Sequence, residues 1–392
     1  MPLVFVHGVK TRQGPGYVAG VAARDALFKQ FLGPIMTVGQ DGLAIENPFW
    51  GDLGASFAWK LGSVPKEDGD LESLGATAAT PYVELAQAAL INSAATGTQT
   101  LILDLARRDF GSAVDLLFTA AAHTSGLDVD EYGRLAVRAA EYVELHPAPD
   151  WINSARTDNE FVSLLMQEIK AAPQPTETLG GFDVWNRIRE GMDRVHDAAA
   201  NAIGGPLWEQ VRSSLLPTVV TFVGDAFAYQ THRGSPQSPG AIPGVVLGAL
   251  SAAASHRTEH DPYLVVVCHS MGGVITYDLL SGYAPDVTVD VLITVGSQVG
   301  LLEELKLLTA SDTSVTAPAR VAVPQRVRSW INVFDLNDIL SYLAEPIFDR
   351  VTDYRFATGN LVTAHTSYFA QPTLHSLLAE RVRSALATLA DP

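Results

Sequence analysis

The chain is almost without cysteine and short of positive charge. Its one cysteine in 392 residues, Cys268, excludes an intrachain disulfide and fits a reducing compartment. Lys and Arg number 26 against 43 Asp and Glu, a formal charge of −17. That balance argues against nucleic acid as a partner and against docking on anionic lipid through a basic patch. Long apolar runs are missing as well. Stretches such as Ala241 to Ala254 are broken by Pro243 and Gly244 and stop short of the roughly 18 residues a membrane span needs, so no transmembrane segment is expected. Met1-Pro2 runs straight into Leu3-Val-Phe-Val6 with no basic n-region, h-region or cleavage site, so no secretory signal is expected either. These absences lead to the expectation of a cytoplasmic protein. Apolar residues at 47 % and charged residues at 18 % are enough for a sizeable core, as one large domain with an insertion or as two domains.

The patterning alternates between strand and helix at both ends of the chain. Leu3 to Val6 reads as a buried strand ending in His7-Gly8, and Ile45 to Trp50 as a second short strand. A helix from about Tyr17 to Phe31 lies between them, after the Gly14-Pro-Gly16 loop. From Gly54 to Leu215 strand signals vanish and helical periodicity takes over, over Tyr82–Leu90, Thr100–Phe118, Asp130–Leu145, Phe161–Ile169 and Trp185–Ala199. This stretch is too long and too apolar to be a structureless linker. After Pro217 the α/β rhythm resumes. Strands are expected at Leu264–Cys268, Val289–Val295, Trp330–Phe334 and Tyr354–Ala357, with helices over Val245–His256, Leu301–Leu308 and Thr373–Leu389. The pattern predicts a doubly wound, mostly parallel α/β sheet built from 1–53 and 216–392, interrupted by a helical insertion over 54–215.

Leu264-Val-Val-Val-Cys-His-Ser-Met-Gly-Gly273 carries the most chemistry. A β-branched run feeds a tight turn, and Val274 to Leu280 continues at helical spacing. A serine at such a strand-to-helix turn is presented at the top of the sheet, with the free N–H groups of a helix start behind it. A hydroxyl there needs a base, a group that orients the base, and donors for a developing oxyanion. Two histidines follow Ser270. His365 lies in a loop-like segment suited to a base, and His375 falls within a helical pattern. For the acid, Asp335-Leu-Asn-Asp338 follows a strand. Asp338 is favoured and Asp335 is the alternative, the other being a turn or cap residue. The N–H groups of Met271 and Val9 are the expected oxyanion donors. His269 is expected to point away from Ser270 and to pack. His256 and His260, at helical i, i+4 spacing, read as a solvated pair and not as a metal site.

Four segments carry a resemblance: Val4-Phe-Val-His-Gly8, Val267-Cys-His-Ser-Met-Gly-Gly273, Asn332-Val-Phe-Asp-Leu-Asn-Asp338 and Ala364-His-Thr-Ser-Tyr368. Together they resemble the serine hydrolases of the α/β-hydrolase fold, within it bacterial lipases and esterases with a His-Ser-Met-Gly-Gly elbow. The resemblance covers about 1–50 and 216–392. It implies Ser270 as nucleophile, Asp338 as acid, His365 as base, Val9 and Met271 as oxyanion donors, and carboxylic esters, lipid esters among them, as substrates, with no cofactor or metal. Cys268 departs from the pattern by replacing the first glycine of the elbow, and is read as a small buried hydrophobe. The 54–215 segment has no counterpart in the resemblance and is expected to be a lid, a cap or a partner-binding element. The alternative function is an interaction or scaffold protein on a hydrolase core, with 54–215 binding a protein partner and catalysis gated or incidental.

Overall fold

The computed structural model describes residues 2–9, 11–36, 42–60, 86, 99–171, 182–202, 207–259, 261–283, 286–358 and 364–390. The helix expected over Tyr82–Leu90 lies outside the described residues except for Ala86, and His260 lies outside them too. The strands are β1 (Pro2–Val6), β2 (Ala44–Glu46), β3 (Gly234–Ser235), β4 (Ser238–Pro239), β5 (Val265–His269), β6 (Val289–Val295), β7 (Val327–Phe334) and β8 (Thr352–Arg355). β3 and β4 form a separate antiparallel ribbon. The other six form one sheet in the order β2-β1-β5-β6-β7-β8, every neighbouring pair parallel. The expected α/β organisation with a mostly parallel sheet is therefore what the chain forms.

The helices are α1 (Pro15–Phe31), α2 (Gly33–Met36), α3 (Leu101–Arg108), α4 (Phe110–Ala122), α5 (Val129–Leu145), α6 (Asp158–Ala171), α7 (Phe182–Ala202), α8 (Leu207–His232), α9 (Ala241–Ser255), α10 (Met271–Asp278), α11 (Val299–Glu304), α12 (Ala364–Ser367) and α13 (Pro372–Ala390). Several differ from expectation for local reasons. The helix expected over Thr100–Phe118 breaks at Asp109, whose extended backbone and side-chain bond to the Ser112 N–H start α4 afresh. The helix expected at Leu301–Leu308 ends at Glu304, because Lys306 takes a left-handed φ of 57°. β2 stops at Glu46, two residues before Pro48, which has no N–H for a ladder.

Alternation along the strands explains why β1 and β5 in the middle of the sheet are apolar at nearly every position. Leu3, Phe5, Val265, Val267, Val291, Ile293, Ile331 and Val333 enter a core with α1 and α13. Val4, Val6, Val266, Cys268 and Leu292 enter a second core with α9, α10 and α11. Side chains alternate with period two, and both faces of a parallel sheet are covered, so both sets are mainly apolar, and buried Thr294 and Asn332 bond to each other.

The helical segment is continuous with the first of these cores. Buried residues from Leu101 to Ala199 form one cluster with α1, α13 and the sheet. α5 packs across both α1 and α13, and α4 packs on α7. The described part of this segment is thus an outer layer on one face of the sheet. Its expected boundary at 215/216 falls inside α8, a single helix.

A buried carboxyl joins that layer to α13. Asp115 of α4 accepts from the Thr373 N–H at 3.4 Å and from its hydroxyl, at the first turn of α13. Burial pushes the Asp115 carboxyl up to about 7, although the Thr373 bonds oppose the rise. The folded protein then holds a proton that the unfolded chain, with an ordinary carboxylate near ~4, releases. This group's contribution is most favourable below that ordinary value and is lost as pH rises to about 7. Asp115→Asn should therefore gain stability relative to the parent as pH increases across this window, read as the difference in Tm between the two proteins. A difference that stays constant with pH would contradict the assignment.

Candidate active site

The strand order fixes where the site lies. The chain leaves β1 toward β2 on one side, and later returns to pair β5 with β1 on the other. At such a reversal the loops after the two strands diverge and open a crevice at the carboxyl edge of the sheet. The loop after β1 is His7-Gly8-Val9 and the turn after β5 is His269-Ser270-Met271, so both sequence-expected loops leave neighbouring strands at this carboxyl edge.

Ser270 sits between β5 and α10 with φ 54° and ψ −127°, a conformation that non-glycine residues rarely adopt and that costs ~1–3 kcal/mol. The neighbouring strand holds it there. Its N–H donates to Val295 O at 2.9 Å, and the Ser297 hydroxyl donates to Ser270 O at 3.0 Å. Two glycines make room. A Cβ on Gly272 would stand 2.3 Å from Val6 O and 2.7 Å from His7 O. A Cβ on Gly8 would stand 2.7 Å from Ser270 Cβ. Cys268 lies fully buried in the α9–α11 core, its thiol against the Thr276 hydroxyl at 3.2 Å. Burial pushes that thiol up to about 12, away from the reactive thiolate.

Three of the sequence-selected side chains meet in a line. His365 Nε2 lies 2.7 Å from Ser270 Oγ, and Nδ1 lies 2.8 and 3.0 Å from the two Asp338 oxygens. With Nδ1–H donated to the carboxylate, Nε2 is left as acceptor for the serine hydroxyl. Ser270, Asp338 and His365 are all buried. His365 lies on the short helix α12, where the sequence reads as a loop. Asp335 is placed elsewhere. It accepts from the Thr358 N–H at 2.8 Å, the Thr358 hydroxyl and the Asn337 N–H at 2.9 Å, and so ties the end of β7 to the segment after β8.

Asp338 is held by more than the histidine. The Tyr368 hydroxyl donates to Oδ2 at 3.1 Å and the Leu340 N–H to Oδ1 at 2.9 Å. The carboxylate thus meets only donors, which leaves it no competing orientation. Gln298, fully buried, links the loops: its side-chain N–H2 donates to Gly296 O at 2.9 Å and to Leu340 O, and stands 3.5 Å from Ser270 Oγ. Sequence reasoning missed Gln298 and Tyr368. Tyr368 stands three residues after His365, within the Ala364–Tyr368 segment, but Gln298 has no comparable signal, since Leu340 O and Ser270 Oγ come to it from other loops.

The first loop is locked through His7. Its Nδ1–H donates to Gly8 O at 2.8 Å, its Nε2 accepts the Trp50 N–H at 3.1 Å, and the Trp50 indole donates to His7 O at 2.9 Å. The rings stack at 4.9 Å. Burial lowers His7 to about 4, so the neutral tautomer these bonds require persists over ordinary pH. Val9 follows this locked pair, and Met271 is the first residue of α10, where N–H groups lack an intrahelical acceptor. Gly272→Ala, which drives a methyl into two carbonyl oxygens, should destabilise the protein by ~1–3 kcal/mol in urea unfolding. An unchanged midpoint would refute the close approach.

Compared with family models, with curated proteins and with solved structures, the chain matches none, so the site rests on its own geometry.

Proposed function

We propose that the protein is a serine hydrolase of the α/β-hydrolase type that cleaves carboxylic esters through an acyl-enzyme on Ser270. The observation that carries this reading is the line Asp338–His365–Ser270 ending on a strained turn, each link within hydrogen-bond reach. In the first step His365 Nε2 takes the hydroxyl proton as Ser270 Oγ attacks the ester carbonyl. Asp338 keeps the imidazole oriented and balances its charge. The tetrahedral oxyanion is received by the N–H groups of Val9 and Met271. His365 then protonates the departing alcohol, and a water repeats the sequence to release the acid. None of these steps calls for a cofactor or a metal.

Esters with apolar groups, lipid esters included, suit the surroundings best. The loop that carries Asp338 exposes Leu336, Ile339 and Leu343 to solvent. Among the described residues no helix is long and apolar enough to cross a membrane.

A fluorophosphonate probe tests the reading directly. The purified protein should be labelled at Ser270, and Ser270→Ala should abolish labelling. Failure of the parent protein to label, with or without candidate lipids, would favour an interaction protein on the same fold. On a p-nitrophenyl ester series, Asp338→Ala should lower kcat by about 10⁴-fold. Asp335→Ala should keep turnover and lose stability by ~1–3 kcal/mol, since its bonds tie two loops. Loss of turnover in a folded Asp335→Ala protein alone would reassign the acid.

A further inference from the structure

We propose that His269, the residue before the nucleophile, is a positioning residue whose ring N–H holds the main chain of the base. This role rests on the hydrolase reading. His269 Nε2 lies 2.7 Å from the carbonyl oxygen of His365, and since a carbonyl only accepts, Nε2 carries the proton. Strand alternation puts the side chain there. His269 follows Val265 and Val267 on the sheet face whose core contains Tyr368 and Phe369, away from Ser270. The ring meets Phe369 edge-on at 5.6 Å, Tyr368 at 6.1 Å and the His365 ring at 5.0 Å. The packing expected of His269 from the sequence is only part of what it does.

The tether closes a gap in the support of the base. Asp338 fixes the imidazole from the side chain outward, yet the base sits on α12, a four-residue helix with little internal bonding of its own. His269 fixes the same residue from its carbonyl. Nucleophile and base are then attached to consecutive positions of one strand end, and movement of β5 carries both together. The tether must also stay neutral, because a second cation 5.0 Å from the imidazolium formed in the first step would oppose it. Burial first, and His365 next, hold His269 down at about 3, so it donates without charging.

Two replacements separate donation from packing. His269→Leu keeps an apolar body and removes the donor, while His269→Gln places an amide N–H near the Nε2 position. His269→Leu should lower kcat and the rate of fluorophosphonate labelling by up to about 10²-fold with KM little changed, and His269→Gln should restore most of the loss. Hydrogen exchange of amides 364–371 gives a second readout that needs no activity: faster in His269→Leu, near the parent in His269→Gln. Unchanged exchange in His269→Leu would overturn the tether. Faster exchange with unchanged labelling would overturn its role in positioning. If the parent protein does not label at all, the hydrolase reading fails and the positioning role falls with it, while exchange still reports the bond. If His269→Leu does not fold, His269→Met serves as the donor-free variant.

Discussion

A positive φ at a residue with a side chain is the constraint from which the rest of the site follows. Ser270 holds φ 54° with both flanking peptide groups occupied: its N–H donates to Val295 O, and its carbonyl accepts from the Ser297 hydroxyl and the Gly273 N–H. Val295 and Ser297 lie at the end of β6, so the turn at Ser270 leans on the neighbouring strand. The same strand end carries Gln298, which reaches Leu340 two residues beyond Asp338. One three-residue stretch, Gly296 to Gln298, thereby links the turn at Ser270 to the loop of Asp338. The cost of the serine conformation is met by these contacts, and with it the hydroxyl stands within hydrogen-bond reach of His365 Nε2.

Much of this was legible in the sequence wherever the signal is local. β5 and its turn could be read from a β-branched run, a serine and two glycines, and His7-Gly8 from its place after the first apolar run. Asp338 could be separated from Asp335 only by preference. What distinguishes them is three-dimensional: Asp335 finds Thr358, brought to it by β8, while Asp338 finds His365 and Tyr368. Helix ends were misjudged where one residue decides them. Asp109 interrupts a periodic apolar pattern because its side chain caps a new helix, and periodicity does not register a cap inside a continuous amphipathic run.

The helical segment was the least legible part, for a physical reason. Its dense alanine and leucine fit a separate bundle or a layer laid on a sheet equally well, since either buries one face of each helix. The folded chain resolves this through shared burial. Phe118, Leu135 and Leu165 belong to the same cluster as Phe5, Val267 and Leu378. The Asp115–Thr373 link then joins this layer to the start of α13, a few residues beyond the base. The described part of this segment thus shares the core of the sheet and braces the first turn of the helix that follows His365.

The pairing of β1 with β5 has a consequence for how the molecule comes into being. Leu3 stands beside Val265 in the sheet, and all of the helical layer lies between them in the chain. During synthesis the first strand is made early, with one edge waiting for a partner that emerges only after that entire layer. Parallel strands so far apart must close a long loop before their contacts return anything, which slows folding and leaves an apolar edge open meanwhile. The His7–Trp50 stack and the short β2 can cover part of that first strand at once, because both lie within the opening stretch of the chain. The Ser270 turn, by contrast, gains its Val295 and Ser297 bonds only once β6 is in place, so a nascent chain holds this serine in its final conformation only after most of the sheet has assembled.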